Sequence, residues 1–216
     1  MNSYKCVFLD WALTLSNSLF WEHFNDPEHA HFQTFQMIQR TLFQDPAFSQ
    51  MLLDWMRGRF TSEDVIAALC QHDAALDPRM MLDELALSCS KMQFVSPQIP
   101  TYVAQLQARG IKVVIATDNM DTFTRWTVPA LQLRTLFDDV LNSYDLQALK
   151  EDINESGRSA FFGTYLKSQG LEPGQSVLID DSGEDCGRRI RSFGIDYRRI
   201  EPRVGLVPEL QKLLAP

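Results

Sequence analysis

The sequence lacks the features that mark several classes of protein. It has four cysteines among 216 residues, far apart and without a Cys-x-x-Cys pair, so neither a zinc site nor a disulfide framework is predicted. No apolar run approaches the roughly 18 residues that cross a membrane, and no basic and apolar leader precedes the first strand-like segment. We therefore expect a cytoplasmic protein with no membrane partner.

An excess of positive charge is also lacking. The chain has 20 Lys and Arg against 28 Asp and Glu, a formal net charge of −8. This balance disfavours nucleic acid as a partner, although a local basic pocket for a phosphate is compatible with it. The length and an ordinary hydrophobic fraction of 45% suit one large domain or one domain with an insertion. We expect a monomer or homodimer that binds a small molecule.

What the sequence does contain is a short apolar run that ends in a carboxylate. Cys6-Val7-Phe8-Leu9 is too short for a helix and rich in strand-favouring residues, and Asp10 follows it. In open parallel sheets the ligand crevice lies outside the carboxyl ends of the strands. Asp10 is therefore a candidate for chemistry, and a carboxylate that caps the next element is the alternative.

The sequence between about residues 16 and 90 has a helical pattern. Apolar residues recur there every three or four positions, and no strand is predicted. Helix starts are predicted at Thr61 and at Asp77-Pro78. All four histidines lie in this block. Because His29 and His31 are two positions apart and cannot share a helix face, we expect packing or solvated roles for the histidines rather than a metal site.

Short apolar strands alternate with helices after Pro97. Val113 to Thr117 ends in a hydroxyl, and Val177 to Ile179 is followed by Asp180-Asp181. Helices are predicted there from Phe123 to Leu131 and from Ala160 to Gln169. Such alternation predicts a parallel sheet with helices on its faces. We therefore predict an α/β fold, with a Rossmann-like parallel-sheet core over residues 1–15 and 97–216 and an inserted all-helical domain over residues 16–96.

Three strand ends thus carry Asp10, Thr117 and the pair Asp180-Asp181, with Lys150 before the third. Carboxylates can hold a divalent cation, a hydroxyl can donate to an oxyanion, and an ammonium can balance a dianion. Together they outline a phosphoryl-transfer site. Taken singly, each is more often a cap, a turn residue or a surface lysine, so the prediction depends on their order and spacing.

The first two of these segments resemble motifs of the haloacid dehalogenase-like (HAD) superfamily. Asp10 to Thr14 matches the family's Asp-x-Asp-x-Thr, except that Ala12 replaces the second aspartate. Val113 to Thr117 matches the second motif, an apolar strand that ends in Ser or Thr.

The last two motifs of the family can also be matched. Lys150 is the best match to the lysine of the third motif, and Arg158 is its rival. Asp180-Asp181-Ser182 with the later Asp185 matches the fourth. The helical block over residues 16–96 is similar to the family's C1-type cap.

This resemblance implies a role for each matched residue. Asp10 would take a phosphoryl group as an aspartyl-phosphate, and Mg²⁺ would be held by Asp10, the backbone carbonyl of Ala12 and Asp181. Thr117 would hydrogen-bond the transferred group, and Lys150 would neutralise its charge. The residues placed beside the metal are Asp180 and Asp185, and those placed on the phosphate or substrate are Thr14, Asp118 and Asn119.

Ala12 is the departure with the largest consequence. In the family's phosphatases the carboxylate at this position protonates the leaving group and then activates water, and general acid–base catalysis of this kind contributes about 10² to 10⁴ in rate. We therefore expect a Mg²⁺-dependent phosphatase of a small phosphorylated metabolite whose turnover is severely impaired, while metal binding survives.

Three explanations of Ala12 stay open. It can be an engineered Asp-to-Ala change in an ordinary phosphatase, or the chain can be a non-catalytic binding protein or pseudoenzyme with the same fold. Asp-Trp-Ala also resembles phosphonoacetaldehyde hydrolase, but that branch needs a cap lysine, and none occurs between Lys5 and Lys91, while Leu13 stands where that branch has Gly. The candidates for substrate specificity in the helical block are Trp21, His23, Arg57 and Arg59.

Overall fold

The computed structural model describes residues 4–18, 20–73 and 76–215. One five-stranded sheet lies at its centre, with all neighbouring strands parallel and the order β3-β2-β1-β4-β5. The strands are β1 (Cys6–Leu9), β2 (Lys112–Thr117), β3 (Asp139–Asn142), β4 (Ser176–Asp180) and β5 (Asp196–Arg199). The predicted parallel α/β fold is therefore confirmed.

The apolar runs of the central strands reflect burial on both faces of the sheet. Val7 and Leu9 belong to one hydrophobic cluster, whereas Cys6 and Phe8 belong to another on the opposite face. Because side chains alternate between faces, a strand that is covered on both sides must be apolar at every position. This burial explains why β1 and β4 can be recognised from sequence without an alternating pattern.

The order of the strands reverses at β1. Chain connections move from β1 through β2 to β3 on one side, and β4 and β5 lie on the other. Leu9 is in register with Ile115 of β2 and Ile179 of β4, so the residues that follow these three positions meet at one edge. Such a topological switch point is where ligands bind in open α/β sheets.

Eleven α-helices occur in the described part of the chain. Four lie within residues 16–96, namely α1 (Phe32–Gln44), α2 (Pro46–Met56), α3 (Ser62–His72) and α4 (Pro78–Ser90). The others are α5 (Ile99–Ala108), α6 (Val128–Ala130), α7 (Leu133–Leu136), α8 (Ser143–Leu146), α9 (Gly163–Ser168), α10 (Glu184–Ser192) and α11 (Leu206–Leu214). No helix in these described ranges is both long and apolar enough to cross a membrane.

Capping residues explain where two of the inserted helices begin. Thr61 and Asp64 form a capping box at the start of α3, with each side chain accepting from the other residue's backbone N–H. Asp77 accepts from the N–H of Met80, and Pro78 occupies the first turn of α4. Both helix starts agree with the sequence-based expectation.

The inserted helices leave and rejoin the core through adjacent segments. Ser16 forms an antiparallel bridge with Phe94, and the N–H of Val95 donates to the carbonyl of Leu15 at 2.9 Å. The described part of residues 20–90 contains helices α1 to α4, a short 3₁₀-helix over Glu22–Phe24 and no strand. The division into core and cap stays a prediction, and residues 1–3, 19, 74, 75 and 216 of its two parts lie outside the described residues.

Two predicted helices differ in the structure. The helix expected from Phe123 to Leu131 is a π-helical turn over Phe123–Thr127 followed by the short α6. Pro129 explains part of this difference because it has no N–H to donate in an α-helical ladder. The helix expected to start at Ala160 begins at Gly163.

Candidate active site

Three buried charged groups meet at the switch point of the sheet. Asp10 directly follows β1, and its N–H donates to the carbonyl of Ile179 at 3.1 Å. The Nζ of Lys150 lies 2.8 Å from Asp10 Oδ1 and 2.5 Å from Asp180 Oδ2. All three residues are at most 5% exposed. The lysine therefore bridges two carboxylates that would otherwise repel each other in a medium of low polarity.

Two hydrogen bonds from backbone amides to carboxylates hold the segment that carries Lys150. Its N–H donates to Asp118 Oδ1 at 2.9 Å, and the N–H of Leu149 donates to Asp152 Oδ2 at 2.9 Å. Arg158, the rival for the third motif, lies exposed in a turn between residues 153 and 159, where its N–H donates to Asn154. The structure thus brings Lys150, and not Arg158, to Asp10.

A group of carboxylates beside Lys150 is suited to a divalent cation. One carboxylate oxygen from each of Asp10, Asp180 and Asp181 lies within 4.8 Å of the others. When all three are ionised, the three carboxylates and the single ammonium leave a net charge of about −2, which a hard dication such as Mg²⁺ would neutralise. Thr14, fully buried, donates from Oγ1 to Asp181 Oδ1 at 3.5 Å.

Thr117 offers a hydrogen bond that nothing in the described chain accepts. It ends β2 and is fully buried, yet its Oγ1 has no hydrogen-bond partner among the described residues. An unsatisfied buried hydroxyl costs about 1–3 kcal/mol, and such groups are rare in folded proteins. A bound group with an oxygen at this position would remove that cost.

The pKa values of both Asp10 and Lys150 are raised, but by different causes. Burial, with a smaller contribution from Asp180, raises the pKa of Asp10 to about 7 against the opposing effect of Lys150. Burial alone would lower the pKa of Lys150, but the neighbouring Asp10, Asp180 and Asp118 raise it well above its usual value. The ammonium therefore stays charged throughout the physiological range.

The pKa values of the other carboxylates shift in both directions. Burial would raise the pKa of Asp180, but the charge of Lys150 and hydrogen bonds from Lys150 and Ser182 lower it. Burial raises the pKa of Asp118 to about 6, and burial together with the charge of Asp180 raises the pKa of Asp181. Perturbed carboxylates gathered at one strand edge are typical of functional sites.

The loop after Asp10 has an unusual backbone. Leu13 has φ of 55°, in the left-handed region that favours glycine, and its carbonyl accepts from the N–H of Arg203 at 2.6 Å. The carbonyls of Asp10 and Trp11 accept from residues five positions later, which closes the loop into a tight turn. Ala12 lies half-buried in this turn and contributes a methyl group where a carboxylate is expected.

Two predicted site residues do not join the cluster. Asp185 is 89% exposed by side chain, in the first turn of α10, where it pairs with Arg188. The expectation that it lies beside the metal is therefore corrected, because the helix that starts at Glu184 carries it outward. The side chain of Asn119 is buried and accepts from the N–H of Met120, so its oxygen caps its own loop.

The four residues predicted to select the substrate have different surroundings. Trp21 is fully buried and donates to the carbonyl of Met81 at 3.2 Å, and Arg59 is exposed and pairs with Asp54. The other two are His23, which pairs with Glu84 beside a surface cavity of about 590 Å³, and Arg57, which pairs with Asp152.

Sequence reasoning missed Asp121, the residue that joins the insertion to the core. Its buried carboxylate accepts from Trp55 Nε1 at 2.7 Å, from Ser62 Oγ at 2.7 Å and from Arg125 at 2.7 Å. Asp121 follows the second motif by four positions, and nothing in its local pattern distinguishes it from a solvated loop carboxylate. Asp152, two positions after Lys150, was missed for the same reason.

Comparison with known proteins gives similarity in structure alone. No protein-family model matches the sequence, and no curated protein matches it either. A predicted HAD-like family hydrolase from Porphyromonas gingivalis is similar with a TM-score of 0.69 and 17% identity, over 99% of each chain. The L-2-haloacid dehalogenase from Xanthobacter autotrophicus is similar with a TM-score of 0.60 and 16% identity, over 91% of this chain and 77% of that one.

A third similar structure contains ligands. It is a HAD-family enzyme from Bacteroides thetaiotaomicron in complex with magnesium and inorganic phosphate, with a TM-score of 0.64 and 16% identity over 92% of this chain and 95% of that one. An aspartate-to-alanine mutant of that enzyme is also known in complex with magnesium and inorganic phosphate. At these identities the likeness establishes the fold, and it agrees with the motifs found in the sequence. The chain has the fold of the haloacid dehalogenase-like superfamily.

Proposed function

We propose that this chain is a Mg²⁺-dependent HAD-type hydrolase that transfers a phosphoryl group from a small phosphorylated metabolite to Asp10. One arrangement carries the most weight: Lys150 bridges Asp10 and Asp180 at the switch point, with Asp181 beside them. The magnesium and phosphate in the similar enzyme from Bacteroides thetaiotaomicron support this choice of chemistry.

The residues of the chain suit an in-line transfer to a carboxylate. Asp10 is the nucleophile. Its Oδ1 accepts a hydrogen bond from Lys150, and its carboxylate lies in the cluster with Asp180 and Asp181. Lys150 remains charged and stabilises negative charge on the transferring group. The unpartnered hydroxyl of Thr117 supplies a preformed donor, so no reorganisation is needed when the group arrives.

The donor set fits magnesium rather than a softer metal. Asp10 and Asp181, with the backbone carbonyl of Ala12, would hold the ion, and Asp180 would stay on Lys150. When bound, Mg²⁺ supplies positive charge that offsets the phosphoryl oxygens and the acidic cluster. Carboxylate and carbonyl oxygens are the ligands that this ion prefers.

The proposed reaction needs an acid–base residue at position 12, where the chain has alanine. The methyl group of Ala12 can neither protonate a leaving alkoxide nor activate water, so the chain as it stands should turn over slowly. A branch of the family that forms a Schiff base is not supported, because the one lysine of the insertion, Lys91, is exposed near its end, and Leu13 stands where that branch has Gly.

The decisive experiment compares three proteins on a panel of phosphorylated metabolites and an aryl phosphate with Mg²⁺. They are the present chain, Ala12→Asp, and Ala12→Asp combined with Asp10→Asn. We expect Ala12→Asp to raise turnover by about 10² to 10⁴ and Asp10→Asn to abolish the gain. The preferred compound would identify the substrate class. If Ala12→Asp is inactive on every compound, the hydrolase proposal is wrong.

A non-catalytic binding protein is the second candidate, and Ala12 is the observation that favours it. Metal and phosphate sites remain complete without an acid–base residue. A chain that binds Mg²⁺ and phosphate by calorimetry, yet stays inert after Ala12→Asp, would support binding without turnover.

A further inference from the structure

One short segment of the insertion makes several polar contacts with the core. We call residues 55–63 the docking turn; it comprises the end of α2, the turn at Gly58 and the start of α3. Trp55 and Ser62 donate to Asp121, as described above. Gly58 lies so close to the core that a Cβ atom there would be 2.7 Å from the carbonyl oxygen of Tyr144.

Arg57 is the residue of the docking turn that reaches the loop of Lys150. Its Nε lies 3.0 Å from Asp152 Oδ2 and its Nη2 lies 2.9 Å from Asp152 Oδ1, a two-pronged contact. The two side chains are 24% and 31% exposed, so the pair is partly withdrawn from solvent. Parallel, charge-assisted hydrogen bonds of this kind fix orientation as well as distance.

Asp152 has a second partner in its own loop. The same Oδ2 that accepts from Arg57 accepts from the N–H of Leu149 at 2.9 Å. Because Lys150 in turn donates its N–H to Asp118, carboxylates on both sides hold the Leu149-Lys150 segment. Arg57 is therefore two hydrogen bonds away from the Leu149 amide, which directly precedes the lysine that bridges Asp10 and Asp180.

We propose that Arg57 and Asp152 are positioning residues that link docking of the insertion to the placement of Lys150. When the docking turn sits on the core, Arg57 orients the Asp152 carboxylate, and that carboxylate holds the Leu149 amide so that Lys150 reaches Asp10. When the docking turn separates from the core, Asp152 loses its two hydrogen bonds from Arg57, and the Leu149-Lys150 segment becomes more mobile. The consequence for catalysis rests on the proposed function, whereas the structural coupling does not.

This coupling has a reciprocal form. If docking of the insertion orders Lys150, a ligand that requires Lys150 in place must also favour docking by the same factor. Docking of the insertion through Arg57 would then be favoured when a negatively charged group occupies the strand edge. Water would be excluded in the same step as the ammonium is placed.

The test measures amide hydrogen exchange at Leu149 by NMR in the full chain. Arg57→Lys keeps the charge but loses the two-pronged geometry, and we expect the Leu149 amide to exchange about fivefold faster. The matched control is Arg59→Lys in the same turn. Arg59 pairs with Asp54 inside the insertion and acts on Asp152 through its charge, which lysine keeps, so exchange at Leu149 should stay within about twofold of the unaltered chain.

A second measurement separates positioning from general destabilisation. In the Ala12→Asp background, Arg57→Lys should lower kcat about fivefold while KM changes by less than about twofold, because Lys150 acts on the transition state. Asp152→Asn should have an effect in the same direction, since it loses the charge that the guanidinium binds.

Each result has a clear meaning. Equal exchange at Leu149 in Arg57→Lys and Arg59→Lys would overturn the coupling, whatever the activity. Faster exchange with unchanged kcat would overturn the positioning role. If Ala12→Asp has no activity at all, the proposed function fails, and the exchange data still decide whether Arg57 orders the Lys150 segment.

Discussion

Under the proposed function, the alanine at position 12 leads to a prediction about a covalent intermediate. With a donor whose leaving group needs no proton, such as acetyl phosphate or an aryl phosphate, phosphoryl transfer to Asp10 should still proceed. Hydrolysis of the resulting aspartyl-phosphate requires an activated water, and the methyl group at position 12 cannot supply a base. The phosphorylated protein should therefore accumulate.

The neighbouring carboxylates do not replace the missing base. Asp180 is held by Lys150 and by the N–H of Ser182 at 2.7 Å, and Asp181 accepts from Thr14. For a typical turnover of about 10 s⁻¹, a loss of about 10² to 10⁴ gives an intermediate with a half-life between about 10 s and 10 min. Such lifetimes are within reach of rapid-quench mass spectrometry.

The assay mixes the chain with Mg²⁺ and excess acetyl phosphate, quenches it in acid, and measures the gain of one phosphoryl group on the intact protein. Peptide mapping should place the group on Asp10, and Asp10→Asn should show no gain. Ala12→Asp should lose the group much faster, whereas Ala12→Ser, which has no suitable base, should not. A chain that binds Mg²⁺ but never carries the phosphoryl group, or carries it on another residue, would refute the reasoning.

Three further predictions concern pH and stability. Asp10 has a pKa of about 7 in the folded protein, against an ordinary value near 4. Between these two pH values the native state holds a proton that the unfolded state lacks. The unfolding free energy of the metal-free protein should therefore fall as pH rises between about 4 and 7. Denaturant titrations should show this slope, and Asp10→Asn should reduce it. Gly58→Ala should destabilise the protein by about 2 kcal/mol more than Gly110→Ala, which has a similar positive φ but open space around it; equal melting shifts would contradict the close approach to Tyr144. Asp121→Asn should cost about 2–4 kcal/mol, because a buried carboxylate that joins three donors is replaced, and chemical denaturation with no change would contradict its linking role.

Much of the fold can be predicted from the sequence because its signals are local. The uninterrupted apolar run of β1, followed at once by Asp10, reflects a strand that is covered on both faces. The starts of α3 and α4 follow from hydrogen bonds that span three residues, as between Thr61 and Asp64. Patterns of this range are visible in a linear sequence.

The parts that escaped prediction depend on distant contacts. The choice between Lys150 and Arg158 is decided by the turn between residues 153 and 159, whose closing bridge has no periodic signature. The contact of Ser62 with Asp121 spans 59 positions of sequence, and that of Arg57 with Asp152 spans 95. A residue pattern cannot show which of many solvated carboxylates meets a particular donor across such separations.

The side-by-side linkers at Ser16 and Phe94 have a consequence for how such a chain can change over evolutionary time. Because the insertion departs and returns at neighbouring positions, its length and content can vary without shifting the register of β1 against β2. Asp10 and the strand edge can thus be inherited intact while the attached helices are exchanged for others. Under the proposed function, replacing the insertion between Ser16 and Phe94 could change the substrate while Asp10 stays in place.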